Sequence, residues 1–168
     1  MRATPSAAHS GTFQCTTPSD TEITLTRLFD APRDLVWEAM TKPEHVRRWW
    51  GCLDERYSVP VCEIDLRVGG KWRFVGRGPE GDIPAFYGEY LEIDHPGRLV
   101  YTEIFEPFPD GGSLVTQRLD EEHGKTRLTV TARYDSRETR DMVIGTGMEK
   151  GAAISYDRLE DLVQTLKR

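Results

Sequence analysis

Cysteine is scarce in this chain, with Cys15, Cys52 and Cys62 as the only three in 168 residues. Their number is odd and no CxxC spacing occurs, which excludes a disulfide-built scaffold and fits the reduced thiols of a cytoplasmic protein. No stretch approaches the roughly 18 consecutive apolar residues of a membrane span. The N-terminal "MRATPSAAHSGTFQCTTPSD" lacks the apolar core of a signal peptide. A soluble, cytoplasmic protein with no membrane partner is therefore expected. Positive charge is also in deficit: 22 Lys and Arg against 28 Asp and Glu give a net charge of −6, which opposes binding to a phosphate backbone, so nucleic acid is not an expected partner.

Catalytic and metal-binding signatures are missing as well. His45, His95 and His123 show no HxH, HExxH or paired Cys/His spacing, so no metal site is expected. There is no GxSxG elbow. The Gly-rich "GTGMEKG" lacks the strand and the Lys-Ser/Thr ending of a phosphate-binding loop, and reads instead as a break before a helix. No cofactor and no catalytic set are assigned, which leans away from an enzyme.

What is present is a chain long enough to bury one sizeable core. Residues 1–20 are rich in Ser, Thr, Ala and Pro and are expected to form a tail, flexible or pinned through Phe13, ahead of a single domain over 21–168. "EITLTRLF" alternates Ile23, Leu25, Arg27 and Phe29 against Glu22, Thr24, Thr26 and Leu28, which predicts a strand with Arg27 on its apolar face. "DAPRDLVWEAM" predicts a helix with Asp30 as N-cap and Pro32 at the first helical position. "KPEHVRRWWG" predicts a second short helix closed by Gly51. Val46, Trp49 and Trp50 stand at i, i+3 and i+4, so both tryptophans flank one apolar stripe while Arg47 and Arg48 point elsewhere. That spacing favours burial over stacking on nucleotides.

The middle of the chain reads as antiparallel strands joined by short turns. "VPVCEIDLRV" and "KWRFVG" form a hairpin about Gly69-Gly70, and "AFYGEYLEID", "RLVYTEIFE", "SLVTQRLD" and "TRLTVTARY" follow. From Ser136 the pattern is helical. Met148, Ala152, Tyr156 or Ser155, Leu159, Val163 and Leu166 step by three and four, an amphipathic stripe of more than four turns at roughly 3.6 residues each.

Strand, two short helices, antiparallel strands and a long terminal helix is the order of the α+β helix-grip fold. The segments "TRLFDAPRDLVWEAMTKPEHVRRWWG", "CEIDLRVGGKWRF", "YGEYLEIDHPGRLVYTE" and "GMEKGAAISYDRLEDLV" resemble the SRPBCC superfamily, which includes START and pollen-allergen-like proteins. More narrowly, they resemble its branch named for similarity to the activator of heat-shock protein 90 ATPase. The resemblance implies a curved sheet wrapped around the long helix with a cavity between them, and the binding of a small apolar or amphipathic ligand. Where many relatives have a bulky aromatic after the second glycine of "GMEKG", this chain has Ala152, which either widens the cavity or is compensated by Tyr156.

Arg27 and Glu103 occupy the inward phase of their strands, where a charged group needs a partner. They either orient a polar ligand group, act as an acid/base pair, or form a structural ion pair. The candidate cavity walls are Arg27, Trp50, Trp72, Phe74, Tyr87, Tyr101, Glu103, Met148, Ala152 and Tyr156. Two other functions stay open: a regulatory or co-chaperone-like module whose outer surface meets a chaperone or an ArsR-type repressor, by family analogy, and a cavity enzyme using Glu103 as acid/base. A homodimer is also compatible with the sequence.

Overall fold

The computed structural model describes residues 12–167, and the part of the expected tail formed by residues 1–11 lies outside them. Residues 12–20 belong to the sheet's edge. β1 (Gln14–Thr16) pairs antiparallel with β2 (Glu22–Phe29), Cys15 opposite Leu25, and Phe13 and Cys15 pack on the core. Three residues of "QCT" are too few and too polar to show a strand period, so composition alone assigned them to a tail.

Two short helices follow, α1 (Arg33–Thr41) and α2 (Pro43–Val46). The N-cap of α1 is Pro32 rather than the expected Asp30, with no side-chain cap. The chain then turns at Gly51, whose φ of 65° is the left-handed conformation that glycine adopts without strain. Strands β3 (Ser58–Ile64), β4 (Lys71–Gly78), β5 (Gly81–Asp82), β6 (Phe86–Asp94), β7 (Arg98–Phe105), β8 (Phe108–Glu122) and β9 (Lys125–Arg133) complete the strand set. Their order in the sheet is β1-β2-β9-β8-β7-β6-β4-β3, with β5 paired to β4, and every pairing is antiparallel. β8 begins earlier than the expected strand "SLVTQRLD", running through the "FPDGG" that precedes it.

Helix α3 (Arg137–Gly145) starts at Ser136, whose hydroxyl accepts a hydrogen bond from the Thr139 amide at 3.0 Å. A left-handed Gly147, φ 83°, separates it from α4 (Met148–Leu166), the long helix the stripe predicted. Tyr156, Leu159, Leu162 and Val163 of α4 are buried against Ile23, Phe29, Leu119 and Leu128 from the sheet. The helix-grip architecture is therefore present, with one face of the curved sheet closed by α4 and α1.

Gly88 shows how closely the strands are fitted. A Cβ there would stand 1.8 Å from the Thr102 carbonyl oxygen and 2.8 Å from Nε1 of Trp72. Because the position is bare, the Trp72 indole crosses β6 and donates to that same carbonyl at 3.2 Å.

Candidate ligand-binding site

Register decides which side chains face the helix. Residues directly opposite on paired strands share a face, so the pairs Ile23–Ala132, Ala132–Val115, Val115–Tyr101 and Tyr101–Tyr90 trace one row across the inner side. Glu103 lies opposite Ser113, one step further along the same face. Trp72 and Phe74 face inward opposite Gly88 and Phe86. Tyr87 does not. It is paired with Arg73 and Ile104 on the outer face, which removes it from the cavity walls. Alternation along β6 sets it out of phase with Phe86 and Tyr90.

The inner face has two unlike halves. Around Arg27 it is closed: Leu25, Phe29, Leu99, Leu119 and Leu128 are all buried with Val36 and Ala39 of α1. Arg27 itself is 1% exposed. Its Nη2 donates to Asp157 at 2.9 Å and its Nη1 to Glu160 at 3.3 Å, both on α4, and its guanidinium lies 4.8 Å above the Phe29 ring. Arg27 is therefore a clasp between β2 and α4, and the expected partnership of Arg27 with Glu103 does not exist. The two rungs are set apart by the six residues from Ser113 to Leu119 on β8, about 20 Å at ~3.3 Å per residue.

The half around Glu103 is less completely buried. Trp50, Phe74, Phe86, Tyr101, Glu103, Phe105, Met148 and Ala152 all retain some accessible surface, although those on the strands face α4. Burial raises the pKa of both Tyr101 and Glu103. The rings form a continuous wall. Trp50 sits 5.1 Å from Phe74 and 5.5 Å from Phe86, Phe86 stacks on Phe105 at 4.7 Å, and Trp72 meets Phe74 at 4.9 Å and Tyr101 at 5.6 Å. These spacings lie within the range of favourable aromatic pairs. Trp49 instead belongs to the core, its indole donating to the Ala39 carbonyl at 3.0 Å, while Arg47 and Arg48 are exposed as expected.

Glu103 sets a carboxyl into this wall. No hydrogen bond or ion pair engages its carboxyl among the described residues, and burial alone lifts its pKa from 4.5 to about 7. Its negative charge in turn adds to burial in raising the hydroxyl pKa values of Tyr101, Tyr134 and Tyr156. Those hydroxyls stay protonated near neutral pH, and two are already engaged: Tyr101 donates to Oε1 of Gln117 at 3.4 Å, and Tyr134 is hydrogen-bonded with Ser113. Tyr156 packs edge-on against Phe29 at 6.1 Å and also meets Phe13 and Trp49, so its ring is committed to the centre of the core. Cys62 faces inward and burial raises its thiol to about 11, far from a reactive thiolate.

Sequence reasoning missed Glu160. It is buried and holds Arg27, although its position four residues after Tyr156 on the buried stripe of α4 was a usable signal. A separate open recess of about 580 Å³ lies outside the grip, between α1 and the β3–β4 turn, with Trp37, Ile64, Leu66 and His95 in its lining. Its rim carries Asp34, Glu38 and Lys42. Among the described residues, no helix is long and apolar enough to cross a membrane, and no group of three or more His, Cys, Asp or Glu side chains is placed to hold a metal ion.

Solved structures share this architecture. A protein from Rhodobacter sphaeroides is 27% identical, with a TM-score of 0.83 over 91% of this chain and 99% of its own. A Mycobacterium smegmatis protein is 28% identical, with a TM-score of 0.79 over 89% and 94%. A Nitrosomonas europaea protein is 26% identical, with a TM-score of 0.78 over 90% and 99%. No curated protein matches the sequence. The family model described as "Activator of Hsp90 ATPase homolog 1-like protein" matches residues 30–164, a span that runs from the turn after β2 almost to the end of α4, and the chain belongs to that family, within the SRPBCC superfamily.

Proposed function

We propose that this protein binds a small amphipathic molecule in the space between the sheet and α4, on the side of the grip occupied by Trp50, Phe74, Phe86 and Glu103. The observation that carries the reading is Glu103. A carboxyl that deep, without hydrogen bond or counter-charge among the described residues, costs several kcal/mol relative to an apolar side chain of similar size. The fold gains nothing from it, whereas a ligand with a polar head does. The aromatic wall supplies the apolar contact and the few polar groups supply orientation, the usual division of labour in small-molecule sites.

Catalysis is not needed to explain this arrangement. Among the described residues Glu103 has no paired base or nucleophile, and Arg27, its candidate partner, is engaged by Asp157 and Glu160. Native mass spectrometry of protein purified without detergent tests the reading, with a retained small molecule on the folded charge states as the expected result. A bare mass, together with no fluorescence gain from the neutral apolar dye Nile red, overturns it.

A further inference from the structure

We infer that the occupant of this site is an organic cation, an ammonium or amidinium group on a small aromatic or apolar body, with the cationic head on Glu103 and the body against the Trp50–Phe74–Phe86 wall. The inference rests on the binding reading above and deepens it by naming the ligand's chemical class.

The charge inventory of the site is one-sided. From β7 come Glu103 and Tyr101, from β8 Ser113, from the end of β9 Tyr134, and from α4 Tyr156. Among the described residues no cationic side chain offsets the carboxyl, and its pKa is perturbed by burial. The inward arginine of the sheet, Arg27, stands about 20 Å away along the strands and is neutralised by Asp157 and Glu160. A ligand carboxylate or phosphate would meet a like charge with no cation to hold it. A ligand ammonium would supply the missing counter-charge.

The walls reinforce that choice. Tyr101 lies two residues from Glu103 on the same face of β7, about 7 Å along the strand, and its ring leads through Trp72 to Phe74 and Trp50. A cation held at Glu103 is thus at the edge of a connected set of ring faces, and the attraction of a cation to such faces is strongest for Trp and Tyr and grows when water is excluded. Aromatic faces replace part of the hydration that the cation loses on entry. Apolar aliphatic walls would not.

The test uses three probes matched in body and different in head: 4-phenylbutylamine, 4-phenylbutanol and 4-phenylbutyrate, titrated by isothermal calorimetry at pH 8. The amine is expected to bind about tenfold or more tightly than the alcohol, the worth of one charge-assisted contact in a partly desolvated site, and the butyrate weakest. Glu103→Gln, nearly isosteric, should erase the preference for amine over alcohol. In the unmodified protein, lowering the pH from 8 to 5.5 should weaken amine binding as Glu103 protonates, a readout that does not depend on the variant folding. If alcohol or butyrate binds as well as the amine, the cation inference fails and the cavity reading stands. If none of the three binds, both fail.

Discussion

Nη1 of Arg27 lies 3.3 Å from Oε1 of Glu160, and the same carboxylate oxygen accepts the backbone amide of Asp30 at 3.2 Å. This contact fastens the end of β2 to the last turns of α4 inside the closed half of the grip. It has a cost, because Nε of Arg27 is buried without a hydrogen-bond partner among the described residues. Replacing Arg27 by Met should destabilise the protein by about 3–5 kcal/mol, since Glu160 is left charged and enclosed. Replacing both Arg27 and Glu160 by Met should recover much of that loss, as Asp157 is 26% exposed and can turn to water. Urea denaturation of the single and double variants checks this, and a single variant within about 0.5 kcal/mol of the parent, the range of ordinary surface changes, would show that the clasp is not stabilising.

Glu103 should make stability fall as pH rises. Its folded value of about 7 lies above the ordinary 4.5, so between those values the native state holds more protons than the unfolded chain. The penalty is absent below about 4.5, grows through the window and is complete above 7, with a size of about 3 kcal/mol. Glu103→Gln should flatten the difference: nearly as stable as the parent at pH 4.5 and more stable at pH 8. Parallel pH profiles for the two proteins would contradict it.

The two adjacent tryptophans should behave differently. Trp49 is 5% exposed and hydrogen-bonded to Ala39, so Trp49→Ala should cost about 3–5 kcal/mol. Trp50 is only partly buried, and Trp50→Ala should cost less than Trp49→Ala while abolishing the calorimetric signal of the phenylbutyl probes. Equal losses of stability in chemical denaturation would mark Trp50 as core instead of wall.

Gly88→Ala should cost about 3 kcal/mol or more, because the added carbon meets the backbone of Thr102, which cannot step aside. Gly76→Ala is the control, since a Cβ there finds its nearest neighbour, Ile83 Cδ1, at an ordinary 3.5 Å. Thermal melts of the pair should separate them clearly. Similar melting points would remove the close crossing of Trp72 over Gly88 as a requirement of the sheet.

Much of this was legible in the residues. The period of two placed Arg27, Trp72, Phe74, Tyr101 and Glu103 on the inner face, and the period of 3.6 placed α4, because those patterns are dictated by which side of each element meets the core. Tyr87 was misplaced against that same rule, drawn in by being aromatic. The stripe of α4 made the burial of Glu160 legible but not its pairing: Asp157 and Glu160 lie 130 and 133 residues from Arg27 in sequence, and nothing local encodes a contact made only when the helix closes. β1 and the first turn of β8 were hidden because "QCT" and "FPDGG" owe their strand conformation to neighbouring strands rather than to their own propensity.

The most direct measurement follows the indole N–H signals of a protein labelled with nitrogen-15 while 4-phenylbutylamine is added. The chain has four tryptophans, and they sample distinct places: Trp50 on the aromatic wall, Trp72 behind it, Trp49 in the core, and Trp37 beside His95 at 5.1 Å on the outer recess. Binding inside the grip should move the Trp50 signal saturably, with a smaller shift at Trp72, and leave Trp37 in place. Saturable movement of Trp37 with Trp50 unchanged would put the ligand in the outer recess, and four unmoved signals would mean that the grip holds no such molecule.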